Sequence, residues 1–477
     1  MEITSKKITK NIISLTSGQI LSILLNFIAI AIAARSLGPQ QFGLFSNVLA
    51  IIAIISKFAD IGFAPIVFRE LSKNENDFSL LNSALSIRIV LFLITLVGLN
   101  IFYVFSAESR IEIIIANILM LTIVVSAKMA NFRELLSTPF KVHLKMHYPM
   151  ILLGIDNLFL LIGIYLLIIS KITIVTFTII YALSNLPGFI FQLFFLYKKF
   201  GYKFKLIFSD WKWLIEQSIP IGGFVVLMAI FQQVDLIILN YLNSSYDAGI
   251  YSIALRLSMP LNIIPTSIVI TVFPIIVKKM SDRNDISEIN KFVFKVLFFI
   301  SFAISIIFYF KASEYIVLAF GDSYFESFLS SNILLISQIF LFFNFFALDL
   351  LTAHDKQRNN FLYATILVIS NITLAIFFIP AYNHNGAAVA KLITTFAGFI
   401  FLSFIMKKNN IEFNFINIRV IFWSLISILI LYGISFWGLF IYTILAPIVI
   451  LAITILIGFF NKTEINFIKK IIGIKVS

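Results

Sequence analysis

Apolar runs of roughly 20 residues recur along the whole chain, separated by short polar stretches. A helix rises about 1.5 Å per residue and the hydrocarbon core of a membrane is about 30 Å thick, so about 20 apolar residues suffice to cross it. The pattern predicts spans at 11–34, 43–66, 80–106, 111–133, 149–170, 172–197, 215–242, 250–277, 289–310, 327–353, 360–380, 384–406, 418–437 and 440–460. That makes about fourteen transmembrane helices, the last two parted only by Gly438 and Leu439. The first run is too long for a cleaved signal peptide and no small-residue cleavage site follows it. The fold class predicted is an all-α polytopic membrane protein.

Composition supports this reading. Hydrophobic residues make up 60% of the 477 positions and charged residues 12%, with mean hydropathy +1.02. A soluble domain of that make-up would expose too much apolar surface. The net charge of +13 is distributed by side of the membrane. One set of loops and ends carries most of the basic residues, among them Lys6, Lys7, Lys10, Arg69, Lys73, Arg133, Lys141, Lys145, Lys198, Lys199, Lys278, Lys279, Arg283, Lys407, Lys408, Lys462, Lys469, Lys470 and Lys475. The opposite set holds only Arg35, Arg110, Lys171 and Lys311. This bias predicts a bacterial inner-membrane protein with both termini cytoplasmic. Basic residues spread over many short loops do not make a nucleic-acid surface.

Several chemistries have no support. There is no cysteine, hence no disulfide and no thiolate metal site. His143 and His147 stand four apart, but among Lys141, Lys145, Phe140 and Tyr148 they read as an interfacial amphipathic stretch. No HExxH, GxxxxGK[ST] or GxSxG pattern occurs. Neither an enzyme nor a cofactor is predicted.

The chain repeats itself weakly. Leu37 to Phe45 (LGPQQFGLF) follows the first span, and Leu242 to Tyr251 (LNSSYDAGIY) follows the seventh. Pro65–Arg69 near the end of the second span matches Pro274–Lys278 near the end of the eighth. The offsets are about 206 and 209 residues, which predicts parallel repeats related by an axis along the membrane normal. Four regions follow: an N-terminal six-helix bundle at 1–197, a basic linker at 198–214, a second six-helix bundle at 215–410, and two additional helices with a basic tail at 411–477. Trp211 and Trp213 beside the linker lysines suit a surface of anionic headgroups.

Charges inside spans are costly, about 2.5–3.5 kcal/mol or more at the centre of a lone helix, and so mark functional or paired groups. The embedded set is Lys57, Asp60, Arg88, Lys128, Asp156, Asp235, Arg256, Lys295, Asp349 and Lys391. Depth predicts that Asp60 can pair with Arg88, and Asp235 with Arg256, either as structural locks or as functional groups. Lys128, Lys295 and Asp349 stand near span ends, where snorkelling explains them. Lys391, beside Gly386-Ala387-Ala388, is the foremost candidate for contacting an anionic substrate. Arg88, Arg256 and Lys57 complete the substrate-binding set. Asp60, Asp156, Asp235 and Asp349 are the titratable groups available for ion coupling or pairing.

These residues resemble the polysaccharide-biosynthesis flippases of the multidrug/oligosaccharidyl-lipid/polysaccharide exporter superfamily, in particular O-antigen and repeat-unit flippases. The resemblance rests on Ala34 to Phe45, Ala59-Asp60-Ile61-Gly62-Phe63 running on to Phe68-Arg69-Glu70-Leu71, Asp235, Gly249-Ile250-Tyr251, Arg256, Phe273-Pro274, Phe320 to Tyr324 and Asn385 to Ala388. It implies two six-helix bundles around a central cavity, in a V-shaped carrier. It also implies a substrate of undecaprenyl-pyrophosphate carrying an oligosaccharide, moved from the cytoplasmic to the outer leaflet. Membrane lipids, H⁺ or Na⁺ and a polysaccharide polymerase are the partners expected. Lipid II flippases also have fourteen spans, and a cation-coupled drug exporter of the same superfamily is a further alternative. A membrane polymerase or glycosyltransferase would need a long outer loop or an acidic catalytic cluster, and this sequence offers neither.

Overall fold

In the computed structural model the described residues are 5–106, 109–129, 131–169, 171–282, 285–414, 416–461 and 464–465, and among them no strand occurs. Arg283, Lys462, Lys469, Lys470 and Lys475 lie outside them. In chain order the helices are α1 Ser5–Phe58, α2 Phe63–Leu71, α3 Ser79–Ser106, α4 Arg110–Val125, α5 Phe132–Leu136, α6 Thr138–Val142, α7 His147–Ile169, α8 Ile174–Leu183 and α9 Leu186–Phe200. There follow α10 Trp211–Leu242, α11 Ser245–Ser258, α12 Ile263–Ser281, α13 Ser287–Tyr309, α14 Ala312–Phe320, α15 Ser327–Ala353, α16 Gln357–Lys408, α17 Ile418–Ile434 and α18 Leu439–Ile457.

Among the described residues ten helical stretches are long and apolar enough to cross a membrane, and α17 is a shorter apolar helix of 17 residues. Two of the ten each hold two predicted spans. In α1 the break falls at Gly38, whose φ of +73° precedes Pro39. Proline disfavours the helical conformation in the residue before it, and glycine accepts the left-handed alternative. In α16 the break is Asn383, φ +51°, shortly after Pro380. The predicted span 111–133 is corrected. Helix α4 stops at Val125, and 126–129 are not helical.

Packing divides the chain into two compact units, residues 1–252 with 368–387, and 253–367 with 388–477. In the first, α1 packs against α7 and α10, and α4 against α8. The linker lies along the start of α3: the Tyr202 hydroxyl donates to Asn82 Oδ1 at 2.8 Å, and the Ile207 N–H to Ser86 Oγ at 3.1 Å. Burial pushes the Tyr202 phenol above its ordinary pKa. In the second unit, α13 packs on α15, and the α17–α18 pair packs on α13. Trp423 is buried there, with Phe299 and Phe302 around it and its indole N–H on Thr454 Oγ1 at 2.9 Å.

Candidate functional site

The first unit holds a polar core built around the interruption between α4 and α5. A helix end leaves carbonyl groups unpaired, and inside a membrane water is not there to take them. Here basic side chains do. Arg133 Nη1 donates to the Val125 carbonyl at 3.2 Å, Lys57 Nζ to the Met129 carbonyl at 3.3 Å, and Arg88 Nη1 to the Asn131 carbonyl. Asn131 in turn donates to the Ser56 carbonyl, which ties the break to α1. Lys128 reaches Asn26 Oδ1 at 2.7 Å, with its ammonium 5.5 Å from the Tyr181 ring. That corrects its assignment as a snorkelling residue.

Two buried ion pairs complete this core. Arg88 has no exposed surface; its guanidinium pairs with Asp60 and lies 5.9 Å from the Phe63 ring. Arg133 pairs with Asp156. The sequence pattern placed Arg133 in a basic loop. The structure buries it, because its guanidinium is shared by Asp156, the Val125 carbonyl and, at 2.9 Å, Gln192 Oε1. The Gly188 N–H donates to Asp156 Oδ1 at 3.0 Å. Any side chain at Gly188 would overlap both members of that pair. Ser126 closes the network with a hydrogen bond to Asn185 Oδ1 at 2.9 Å.

At the far end of the same unit the two predicted repeat turns meet. A Cβ on Gly43 would overlap the Ser245 carbonyl, and one on Gly249 would overlap the Pro39 carbonyl. Under the 206-residue offset Ser245 corresponds to Pro39 and Gly249 to Gly43, so the contact is reciprocal, as at a two-fold interface. Beside it Asp247 accepts from Ser244 Oγ at 2.6 Å and faces His384 Nδ1 at 3.0 Å, while Asn243 donates to Asn383 Oδ1 at 2.7 Å.

The remaining predicted residues are placed as follows. Asp235 is fully buried on α10 and accepts the Tyr251 hydroxyl. Arg256 is half-buried on α11, Lys391 is buried on α16, and Asp349 is half-buried on α15. Lys295 does not snorkel: it is buried, 2.8 Å from Glu464 and about 5 Å from the Phe459 and Phe460 rings. The His143 ring lies 4.7 Å from that of Phe200 at a tilt of 49° and faces Glu75 at 3.4 Å, and no metal-binding cluster occurs among the described residues.

Sequence comparison settles the family. The model of the polysaccharide biosynthesis protein family matches residues 8–280. The chain belongs to that family. The model of the lipid II flippase MurJ matches residues 155–458 as well. The capsular polysaccharide biosynthesis protein CapF of Staphylococcus aureus is 23% identical over 419 residues, 84% of this chain and 99% of that one. Among solved structures, the lipid II flippase MurJ in an inward closed conformation superposes with a TM-score of 0.70 at 17% identity, covering 94% of this chain and 97% of its own. An inward-facing multidrug resistance MATE family transporter gives 0.63 at 14% identity over 83% of this chain and 98% of its own. The family member described here is thus a multi-pass membrane transporter of the exporter superfamily, with a role in polysaccharide biosynthesis.

Proposed function

We propose that the protein moves undecaprenyl-pyrophosphate-linked oligosaccharide units from the cytoplasmic to the outer leaflet by alternating access, driven by an H⁺ or Na⁺ gradient. The observation that carries this reading is the embedded basic set, held within helices of a polysaccharide biosynthesis family member. A pyrophosphate cannot cross hydrocarbon unshielded, and fixed cations lower that barrier. Arg88 and Lys57 already serve the broken helix, so meeting a phosphate would require them to exchange partners. Lys391, buried on α16 beside Gly386-Ala387-Ala388, and Arg256 on α11 are the further candidates for the anion. Of the four aspartates, Asp235 with its phenol partner and half-buried Asp349 are the first candidates for coupling, because Asp60 and Asp156 are held by arginines. The match to the MurJ model keeps lipid II as a second cargo reading.

Proteoliposomes holding the full chain and a fluorescent undecaprenyl-pyrophosphate oligosaccharide test this. Translocation should follow an imposed ion gradient and fall at least tenfold in Lys391→Gln at equal protein level. Gradient-driven extrusion of cationic drugs with no movement of the lipid-linked sugar would overturn the proposal.

A further inference from the structure

A groove in the first unit, distinct from its polar core, lies between α1 and α7 with a volume of about 410 Å³. Gly18 and Leu21 line it from α1; Ile151, Gly154 and Leu158 line it from α7; His147 stands at its mouth. Its walls are exposed, Leu21 at 56%, Ile151 at 60% and Leu158 at 46%. A Cβ on Gly154 would meet nothing within 4 Å, so this glycine faces empty space rather than a neighbouring helix. From His147 to Leu158 the groove runs about 16 Å along α7. That is about the depth of one leaflet.

Beside His147, whose ring lies 4.4 Å from Tyr148, stands a basic and aromatic cluster. Lys145 Nζ lies 5.1 Å from the Phe200 ring, Lys199 Nζ 5.9 Å from Tyr148 and Lys198 Nζ 5.6 Å from Phe194. The rings interlock: Tyr148 touches His147, Phe140 and Phe195, and Phe200 touches Phe140 and His143. Among the described residues, Glu75 faces His143 and Glu134 faces Lys141, each at 3.4 Å. Lysines fixed over aromatic faces beside an open apolar channel form a headgroup site above a chain site.

We propose that this groove seats one anionic phospholipid of the leaflet on the chain's basic side, an acyl chain lying along Gly154 and its phosphate among Lys145, Lys199 and His147. The single-leaflet length selects a membrane phospholipid over a polyprenyl chain, which would overrun the groove. The site is independent of the cargo proposed above.

Native mass spectrometry of the detergent-purified full chain tests it without any transport assay. Phosphatidylglycerol should be retained about tenfold better than phosphatidylcholine of the same chains. Gly154→Leu, which fills the groove and raises helix propensity, and the pair K145Q/K199Q should each remove most of that retention. Equal retention of phosphatidylcholine would overturn the proposal, as would glycerol phosphate binding as tightly as the whole lipid. Displacement of phosphatidylglycerol by undecaprenyl phosphate at equal concentration would assign the groove to the cargo and also overturn it. If Gly154→Leu fails to fold, retention unchanged in K145Q/K199Q is sufficient to do so.

Discussion

Three basic residues, Lys57, Arg88 and Arg133, donate to backbone carbonyls at one helix break. Sequence depth made the Asp60–Arg88 pair legible, because both residues lie at matching distances into adjacent spans. The Arg133–Asp156 pair was not legible, since Arg133 follows an apolar run and reads as a loop residue. The available signal was Ser126-Ala127-Lys128, a polar interruption inside that run. A buried ion pair that loses one partner leaves an uncompensated charge, a cost of about 3–5 kcal/mol. Asp156→Asn should therefore lower the melting temperature in detergent and the folded yield sharply. Gly188→Ala should do the same without removing any charge, by pushing Asp156 and Arg133 apart. If Gly188→Ala melts with the parent protein, the close packing of that pair does not matter to stability. Arg88→Lys keeps the charge but loses the fork that reaches both Asp60 and Asn131, so it should recover only part of the stability lost in Arg88→Gln.

At the scale of elements, the apolar runs located the helices well, because length and hydropathy alone decide whether a segment can span. What they could not reveal is where a helix breaks to serve another element. Hydropathy is blind to the break after Val125, where the Met129 and Asn131 carbonyls accept from side chains of α1 and α3. The repeat turns were legible as motifs, but their meeting was not. Backbone is allowed so close at Gly43 and Gly249 only because neither carries a side chain. Gly43→Val or Gly249→Val should force the turns apart, at about 1–3 kcal/mol of overpacking if they stay together. The chain has no cysteine, so a single Ser46→Cys, one turn beyond Gly43 and buried, reports on this contact alone. In the Gly249→Val background its labelling by a membrane-impermeant thiol reagent should rise several-fold. Unchanged labelling would mean that the reciprocal glycine contact does not seal this end.

For the whole molecule, orientation rests on charge rather than on packing. Arginine and lysine are held back from crossing in short loops. Arg69, Lys73, Lys141, Lys145, Lys278, Lys279, Lys407 and Lys408 fall on one side under the predicted spans, against Arg35, Arg110, Lys171 and Lys311 on the other. Lys311 pairs with Glu314. Every predicted span overlaps described helix, including 418–437 and 440–460 on α17 and α18. An even number of crossings returns the chain to its starting side. A reporter active only in the cytoplasm should therefore work when fused after residue 477, and one active only outside should work when inserted within 312–326. Both reporters reversed would invert the molecule and move the groove of α1 and α7 to the opposite leaflet. An outside signal at the C-terminus alone would remove one crossing, and the short α17, 17 residues or about 25 Å of helix, would be the segment to suspect.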